Sequence, residues 1–384
     1  MARIRILFCI DTVGYDAGTE RQLGELIRRI DPARFELHLC CFEDSPQMRA
    51  LAPHAQLLVL PLTRFYSPRG LLQIHRLRRC INEQQIDLVH TFMNKARIVG
   101  VLAARKSACK AVIAAYRNLG YWLSPRLAVL LRWLNRSTTR ILANSEGVKR
   151  WVSQSEHLDS NKIDVLYNGV DMAKYVPDLG DPAVPRSLGV PDSAKVVGIV
   201  ANYRPVKDHA LFLRAAALVA RQVPDAAFLL VGTGPLREEL GRLALELGIA
   251  DKVFFTDGKG RVIDYLARMS VACLSSESEG FSNAILEYMA AGLPVVATSE
   301  GGNAEAVEHG VTGFIVPGRQ PESFAQPIME LLADDARRSA MGRAGLERCR
   351  RLFDIDIAVR CLEEYYEHLL PAIRSATSVR EEPL

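Results

Sequence analysis

Short apolar runs alternate with longer segments that carry polar residues at helical spacing along most of the chain. In the first half the runs are IRILFCI, ELHLCCF, QLLVLPL, DLVHTF, KAVIAAY, RILANS and KIDVLYN. The second half has VVGIVA, AAFLLVG, KVFFTDG, VACLSS, PVVATS and GFIVP. Continuous apolar runs of this length are typical of strands buried on both faces, and their alternation with helices predicts an α/β fold with parallel sheets.

The 384-residue chain is long enough for two such domains. Residues 172–192 contain four prolines and two glycines, a composition that favours a linker. We therefore predict a first domain at 1–175, a linker at 176–192 and a second domain at 193–354. An amphipathic pattern over 355–376 predicts a long helix at the C-terminus.

Composition and charge exclude several classes of protein. Apolar residues make up 49% of the chain, charged residues 24%, and the net charge is +4, as in an ordinary globular protein. So small a charge, without a basic stripe interleaved with aromatics, argues against nucleic-acid binding. No window of about 20 uninterrupted apolar residues is present, so no membrane-spanning helix is expected. The predicted location is the cytoplasm or the inner face of the membrane.

The chain has eight cysteines, none of them in a C-x-x-C pair, and most lie in apolar runs. This usage predicts free, mostly buried thiols of a cytosolic protein. It argues against a disulfide framework and against a zinc site.

The candidate chemistry is concentrated around two carboxylates that stand eight positions apart, Glu279 and Glu287. An apolar run precedes them, Ser282 is a suitable helix N-cap, and Gly292 followed by Pro294 is a suitable helix stop. The pattern predicts a strand, a glycine turn and a helix. Helix N-termini bind phosphates, and ligands of parallel sheets lie at the carboxyl ends of strands. Two separated carboxylates suit a ligand with hydroxyls at both ends of a diphosphate.

Two cations occupy the loop after the first apolar run of the second half, Arg204 and Lys207. In such a loop they could grip a diphosphate and stabilise charge on a leaving group. Taken alone, a cation pair of this kind is more often solvated. Gly232 belongs to a glycine turn that lacks the third glycine of a dinucleotide fingerprint.

The first half offers weaker candidates. Gly18 lies in the turn after the first apolar run, and Thr19 can cap the helix that follows. His90 ends the fourth run, where a packing role is the common alternative, and Arg117 follows the fifth.

The segment 121–136 is apolar, basic and aromatic, with Tyr121, Trp122, Arg126 and Arg132 among its residues. Such a segment could lie on an anionic membrane surface. The alternative, which we favour, is a helix packed on the sheet with its arginines in water.

The E-x7-E stretch with EGFSN inside it, followed by AAGLPVVAT, GG and TGFIV, closely resembles the nucleotide-sugar end of the retaining GT-B glycosyltransferases of family 4. The resemblance covers nearly the whole chain and is most specific over 196–318. It implies two Rossmann-like domains that face a central cleft, with helix 355–376 crossing back to the first domain. The implied activity is transfer of a sugar from a UDP- or GDP-sugar to a hydroxyl of a saccharide or lipid-linked acceptor. Retention and a place in cell-surface polysaccharide or lipopolysaccharide synthesis are implied as well.

The resemblance also implies roles for the candidate residues. Arg204 and Lys207 would hold the departing diphosphate, Glu279 the donor sugar and Glu287 the ribose. The other implied donor-binding residues are Gly280, Phe281, Ser282, Asn283, Gly232, Gly258 and Lys259. Gly301 and Gly302 would let the backbone approach the sugar. Because two fixed cations can replace a divalent metal, no metal and no cofactor are expected.

On the acceptor side the implied residues are Gly18, Thr19, His90, Arg117 and Asn168. The family usually has two glycines where this chain has Ala17 and Gly18. Arg117 stands where the family often carries a histidine.

Two other functions stay open at this stage. A GT-B sugar-nucleotide epimerase would use the same donor half and would turn over without an acceptor. A catalytically silent nucleotide-binding or scaffold subunit is the other alternative, although the intact set of two cations and two glutamates argues against it.

Overall fold

A computed structural model describes residues 3–13, 18–120, 124–176, 178 and 180–378. Ala17, Tyr121 and Trp122 therefore lie outside the described residues. Contacts within the chain divide it into two units. The first comprises Met1–Asn168 together with Ile355–Leu384, and the second comprises Gly169–Asp354.

The first unit contains seven parallel strands in the order β3-β2-β1-β4-β5-β6-β7. The strands are β1 Ile4–Ile10, β2 Phe35–Cys41, β3 Gln56–Val59, β4 Leu88–Thr91, β5 Ala111–Tyr116, β6 Arg140–Ala143 and β7 Ile163–Val165. The helices between them are α1 Gly18–Arg29, α2 Pro46–Arg49, α3 Pro68–Glu83, α4 Asn94–Ala104, α5 Pro125–Asn135 and α6 Glu146–Glu156, with a 3₁₀ turn at Ser160–Lys162. The C-terminal helix, Ile355–Ser378, also belongs to this unit.

Apolar side chains bury both faces of this sheet. On one face, α1 and the C-terminal helix contribute Leu23, Ile27, Leu362 and other residues to a cluster with the strands. On the other, α3, α4 and α5 contribute a second cluster that includes Leu77. Burial on both faces explains why the strand sequences are continuously apolar.

The second unit contains six parallel strands in the order β10-β9-β8-β11-β12-β13. The strands are β8 Lys195–Val200, β9 Ala226–Val231, β10 Val253–Thr256, β11 Val271–Leu274, β12 Val295–Thr298 and β13 Gly313–Val316. The helices are α7 Ala183–Ser187, α8 His209–Gln222, α9 Arg237–Glu246, α10 Val262–Leu266, α11 Asn283–Ala290, α12 Asn303–Ala306, α13 Pro321–Ala333 and α14 Asp335–Leu352. Shorter 3₁₀ turns lie at Met172–Tyr175, Pro205–Lys207 and Ala250–Lys252.

The two sheets confirm the α/β fold with parallel strands predicted from the apolar runs. In each sheet the strand order reverses between two central neighbours, β1 and β4 in the first unit and β8 and β11 in the second. Loops that leave such neighbours diverge and open a crevice at the carboxyl ends of the strands, where ligands of open α/β sheets bind.

The segment predicted as a linker, 176–192, contains α7 and contacts α10. The backbone N–H of Asp181 donates a hydrogen bond to Asp264 Oδ1 at 3.0 Å. Arg268 Nη2 donates to the carbonyls of Pro191 and Asp192 at 2.6 and 2.9 Å. These contacts attach the described part of the segment to the second unit.

Candidate active site

The loops after β8 and β11 lie side by side because these strands are neighbours in the second sheet. The N–H of Glu277 donates to the carbonyl of Val206 at 2.8 Å. Ser275 Oγ donates to the carbonyl of Lys207 at 3.0 Å. These bonds fix the turn that carries Lys207 against the loop that carries Glu279.

Lys207 and Glu279 form an ion pair, with 2.6 Å between Nζ and Oε1. Ser276 Oγ donates a hydrogen bond to the same carboxylate oxygen, also at 2.6 Å. The Glu279 side chain is 10% exposed and that of Lys207 is 27% exposed. A cation and a carboxylate predicted from separate motifs, 72 positions apart, are thus joined directly. The lysine ammonium has three N–H donors, so one can bind Glu279 while the others face a ligand.

A second ionic contact anchors the same turn. Asp208 has a left-handed backbone (φ 42°) and caps α8 by accepting the N–H of Leu211 at 3.1 Å. Arg319 Nε donates to Asp208 Oδ2 at 3.1 Å, and its Nη2 lies 2.5 Å from Glu277 Oε1. Arg319 therefore links the loops that carry Lys207 and Glu279.

Arg204 begins the short turn that ends at Lys207. Its side chain is exposed, and the described residues provide no hydrogen-bond or ionic partner for it. The structure brings Arg204 into the same loop as Lys207 but not into the ion pair.

Glu287 lies in α11, one turn after the start of that helix, and is 4% exposed. Its neighbour Tyr288 accepts the N–H of Val200 on its hydroxyl at 2.7 Å, which fastens α11 to the end of β8. Ser282 occupies the predicted N-cap position, although its side chain makes no capping bond there. Gly292 ends the helix with φ 71°, as predicted.

Glycines allow backbone segments of the site to touch. A Cβ on Gly301 (φ 58°) would lie 1.9 Å from the carbonyl oxygen of Glu279, and the N–H of Gly302 donates to Gly280 O at 2.8 Å. A Cβ on Gly232 would lie 2.2 Å from the carbonyl oxygen of Ala201 in the loop after β8. These glycines therefore shape the loops themselves, a role that the sequence analysis did not foresee.

The remaining predicted donor residues lie nearby in the chain but make looser contacts. Phe281 is buried and its ring stands 5.3 Å from that of Phe353. Asn283 is the first residue of α11. Gly258 follows β10 with φ 71°, and Lys259 is exposed with its ammonium 2.9 Å from Asp257 Oδ2.

In the first unit, Arg117 follows β5 and its Nη2 donates to Asn168 Oδ1 at 2.5 Å. Burial lowers the pKa of Arg117 to about 10, which leaves it charged at neutral pH. Gly18 and Thr19 begin α1. The structure therefore brings Arg117 and Asn168 together. Each of them was predicted separately on the acceptor side.

His90 lies in the core of the first unit at 1% exposure. Its Nδ1 is 2.7 Å from the hydroxyl of Tyr366 in the C-terminal helix, and its ring lies 4.4 Å from that of Phe92. Burial, and then the charge of Arg117, lower the pKa of His90 to about 3, so the ring is neutral. It lines a small pocket of about 20 Å³ together with Arg117 and other residues. This volume is room for a water molecule.

Two functional candidates were missed. Ser276 directly orients Glu279, but a serine after a strand carries no distinguishing signal. Arg97 lies at 4% exposure in the otherwise apolar helix α4. A lone arginine inside an apolar helical pattern is the signal that could have found it.

The basic aromatic segment forms α5 in its described part, with Ser124 capping the helix by accepting the N–H of Leu127. Val129 and Trp133 are 64% and 45% exposed. Arg105 stacks on the Trp133 ring at 4.7 Å. Across the described ranges, no helix is long and apolar enough to cross a membrane.

Among the described residues, no three histidine, cysteine, aspartate or glutamate side chains cluster in a way that could hold a metal ion. All eight cysteines are free thiols, five of them buried and only Cys361 exposed.

Two family models match the chain in succession. The model described as Glycosyltransferase Family 4 matches residues 17–174, and the model described as Glycosyl transferases group 1 matches residues 181–348. The chain belongs to family 4 of the GT-B glycosyltransferases.

Individual relatives agree with this assignment. A GDP-mannose-dependent α-(1-6)-phosphatidylinositol monomannoside mannosyltransferase of Mycolicibacterium smegmatis is 30% identical, over 70% of this chain and 73% of the relative. A D-inositol 3-phosphate glycosyltransferase of Mycolicibacterium gilvum is 32% identical over 68% of this chain, which spans 61% of that relative. HepE of Anabaena, crystallised with UDP and glucose, shares the fold with a TM-score of 0.82 at 22% identity, covering 95% of this chain and 100% of HepE.

Proposed function

We propose that this protein transfers a sugar from a nucleotide diphosphate sugar to a hydroxyl of a saccharide or lipid-linked acceptor. The observation that carries the proposal is the ion pair between Lys207 and Glu279, formed where the loops after β8 and β11 meet. It lies in the half that the Glycosyl transferases group 1 model matches.

In the proposed mechanism Lys207 and the exposed Arg204 bind the diphosphate of the donor. Negative charge grows on this leaving group as the glycosidic bond breaks. Preorganised cations stabilise that charge in the transition state more than in the ground state. The contact with Glu279 keeps the Lys207 ammonium in position before the donor arrives.

Glu279 would bind hydroxyls of the donor sugar through its carboxylate, and Glu287 would bind the ribose from the first turns of α11. The N–H groups at the start of α11 would add donors for the phosphates. No protein nucleophile is assigned in this scheme, and we propose retention at the anomeric carbon, as implied by the family.

In our proposal the donor is a UDP-sugar or a GDP-sugar. The M. smegmatis relative is named for GDP-mannose, and HepE was crystallised with UDP. The relatives' names also support the acceptor class, since one is named for an inositol phosphate and the other for a phosphatidylinositol mannoside. A role in cell-surface polysaccharide or lipopolysaccharide synthesis follows as the proposed setting.

A panel of UDP- and GDP-sugars tests the proposal by slow hydrolysis of the donor, which needs no acceptor. We expect release of UDP or GDP and free sugar from one donor. Release should persist in EDTA, because Arg204 and Lys207 are proposed to neutralise the diphosphate without a metal. Loss of all release on chelation, restored by Mg²⁺ or Mn²⁺, would contradict metal independence.

The same panel separates the alternatives. Conversion of one nucleotide sugar into its epimer at a rate far above hydrolysis would identify an epimerase. Nucleotide binding without any donor turnover, with or without acceptors, would identify a silent subunit.

A further inference from the structure

A small pocket in the first unit is not used by the donor-binding scheme. It lies at the carboxyl end of β5 and the start of α4 and has a volume of about 60 Å³. Its polar lining residues are Thr19, Asn94, Arg97, Tyr116, Arg117 and Asn118. Since about 10–15 Å³ suffices for one water molecule, a group of several heavy atoms fits here.

Arg97 is the unusual member of this lining. It is 4% exposed, its guanidinium lies 3.7 Å above the ring of Tyr116, and its Nη2 donates to the carbonyl of Ala115 at 3.0 Å. Its Nε and Nη1 are buried and have no hydrogen-bond partner among the described residues. A buried cation with unmade hydrogen bonds is costly, and Arg97 lines the pocket, so an anion bound there would stabilise its charge.

Arg117 supplies a second guanidinium to the same pocket. One of its nitrogens donates to Asn168, and its pKa is lowered by burial, so its charge is poorly solvated. The planar fork of arginine matches the oxygens of a phosphate or carboxylate in pairs. Two such forks at one small pocket favour an oxyanion over a neutral group.

Two carboxylates lie near Arg97, the buried Glu156 and the half-buried Asp11, and both accept hydrogen bonds from other donors. Glu156 accepts the hydroxyl of Tyr116 at 2.5 Å, and Asp11 accepts the backbone N–H of Ala96 at 2.6 Å. Burial raises the pKa of both carboxyls. Neither forms a hydrogen bond with the arginine in the described part of the chain. They lower the cost of the buried charge without using its free N–H groups.

We propose that this pocket binds a phosphate or carboxylate group of the acceptor through Arg97 and Arg117. The inference rests on the proposed transferase function. The residues assigned to the donor all lie in the second unit, so an anion held in the first unit belongs to the other substrate. The substrate class is therefore an acceptor that carries an oxyanion.

Titration calorimetry on the full chain tests the inference, with inorganic phosphate and acetate as separate probes. The protein is first saturated with UDP or GDP, so that phosphate cannot enter the donor site. If neither nucleotide binds, the titration is run without it. We expect binding in the millimolar range, and the stronger probe identifies the source as phosphate or carboxylate.

Arg117→Gln should weaken that binding about tenfold or more, the usual effect of losing a charged hydrogen-bond partner. Arg97→Lys keeps the charge but loses the fork, and should weaken it similarly. Arg76→Gln is the matched control, because it removes one exposed cation from α3 in the same unit. It should leave binding as in the wild type.

Three results would overturn the inference: binding of neither ion, equal binding by the wild type and both pocket variants, or loss of binding when the nucleotide saturates the protein. Circular dichroism checks that the variants fold. If Arg97→Lys does not fold, Arg117→Gln alone decides the test. Donor hydrolysis without oxyanion binding removes only this inference. Oxyanion binding without donor hydrolysis removes the transferase function on which its acceptor assignment rests.

Discussion

Each unit has a cation near the carboxyl ends of its strands, Lys207 in the second and Arg97 in the first, but the two cations have different partners. In the second unit Lys207 contacts the carboxylate of Glu279 at 2.6 Å. In the first, Arg97 stacks on an aromatic ring and two of its nitrogens lack partners among the described residues. A paired cation is held in position before the ligand arrives and suits a leaving group whose negative charge grows in the transition state. An under-satisfied buried arginine suits an anion that is present in the ground state.

The largest effect should come from breaking the ion pair. Lys207→Ala should lower kcat for the active donor by about 10²–10³, the range for removing one preorganised charge-stabilising donor. The KM for the donor should change much less, because the interaction strengthens in the transition state. Glu279→Gln should also reduce kcat, since it removes the partner of Lys207. Steady-state kinetics measures both.

The matched control is Lys106→Ala, which removes an exposed lysine from the first unit. Surface substitutions of this kind usually leave the rate within about twofold. Turnover near the wild-type value in both site variants would remove the proposed site. A rise in KM alone would leave a binding site without the transition-state role.

Glu287 sharpens the comparison between the two units because it is buried in α11 of the second unit and is not part of the Lys207–Glu279 ion pair. Glu287→Gln should weaken nucleotide binding by about 1–3 kcal/mol, since an amide replaces the carboxylate that we propose accepts hydrogen bonds from the ribose hydroxyls. Calorimetry with UDP and GDP measures this loss. Oxyanion binding by the first unit should stay unchanged in this variant. Unchanged nucleotide affinity would count against the ribose assignment.

The last prediction concerns the surface of α5 in the first unit, away from the proposed chemistry. If α5 contacts a membrane, replacing Arg126, Arg132 and Arg136 with Gln should release the folded protein from anionic vesicles. Each basic residue near such a surface contributes about 1 kcal/mol. Sedimentation at low salt, where the attraction is strongest, is the measurement. If the wild type does not sediment with these vesicles, the membrane contact is wrong.

The fold was predictable because strands buried on both faces have continuous apolar sequences, and Gly292 marks the end of α11. The helix α7 was not predicted, because four prolines and two glycines in residues 176–192 favour a linker. Tertiary contacts with α10 override that local signal.

Residues of the candidate site could be predicted where they belong to sequence motifs. Lys207 and Glu279 are 72 positions apart, and only the resemblance to family 4 placed them together. Arg97 was missed because its helix shows the apolar pattern of a core element. The contact of His90 with Tyr366 spans 276 positions, beyond the reach of any local pattern.

A crystal structure of the full chain with UDP or GDP bound tests the central claim most directly. Our account predicts diphosphate oxygens within hydrogen-bond distance of Lys207 Nζ and ribose hydroxyls against the carboxylate of Glu287. It also predicts that the nucleotide leaves the pocket lined by Arg97 and Arg117 unoccupied. A diphosphate bound in that pocket, or anywhere away from Lys207, would contradict it.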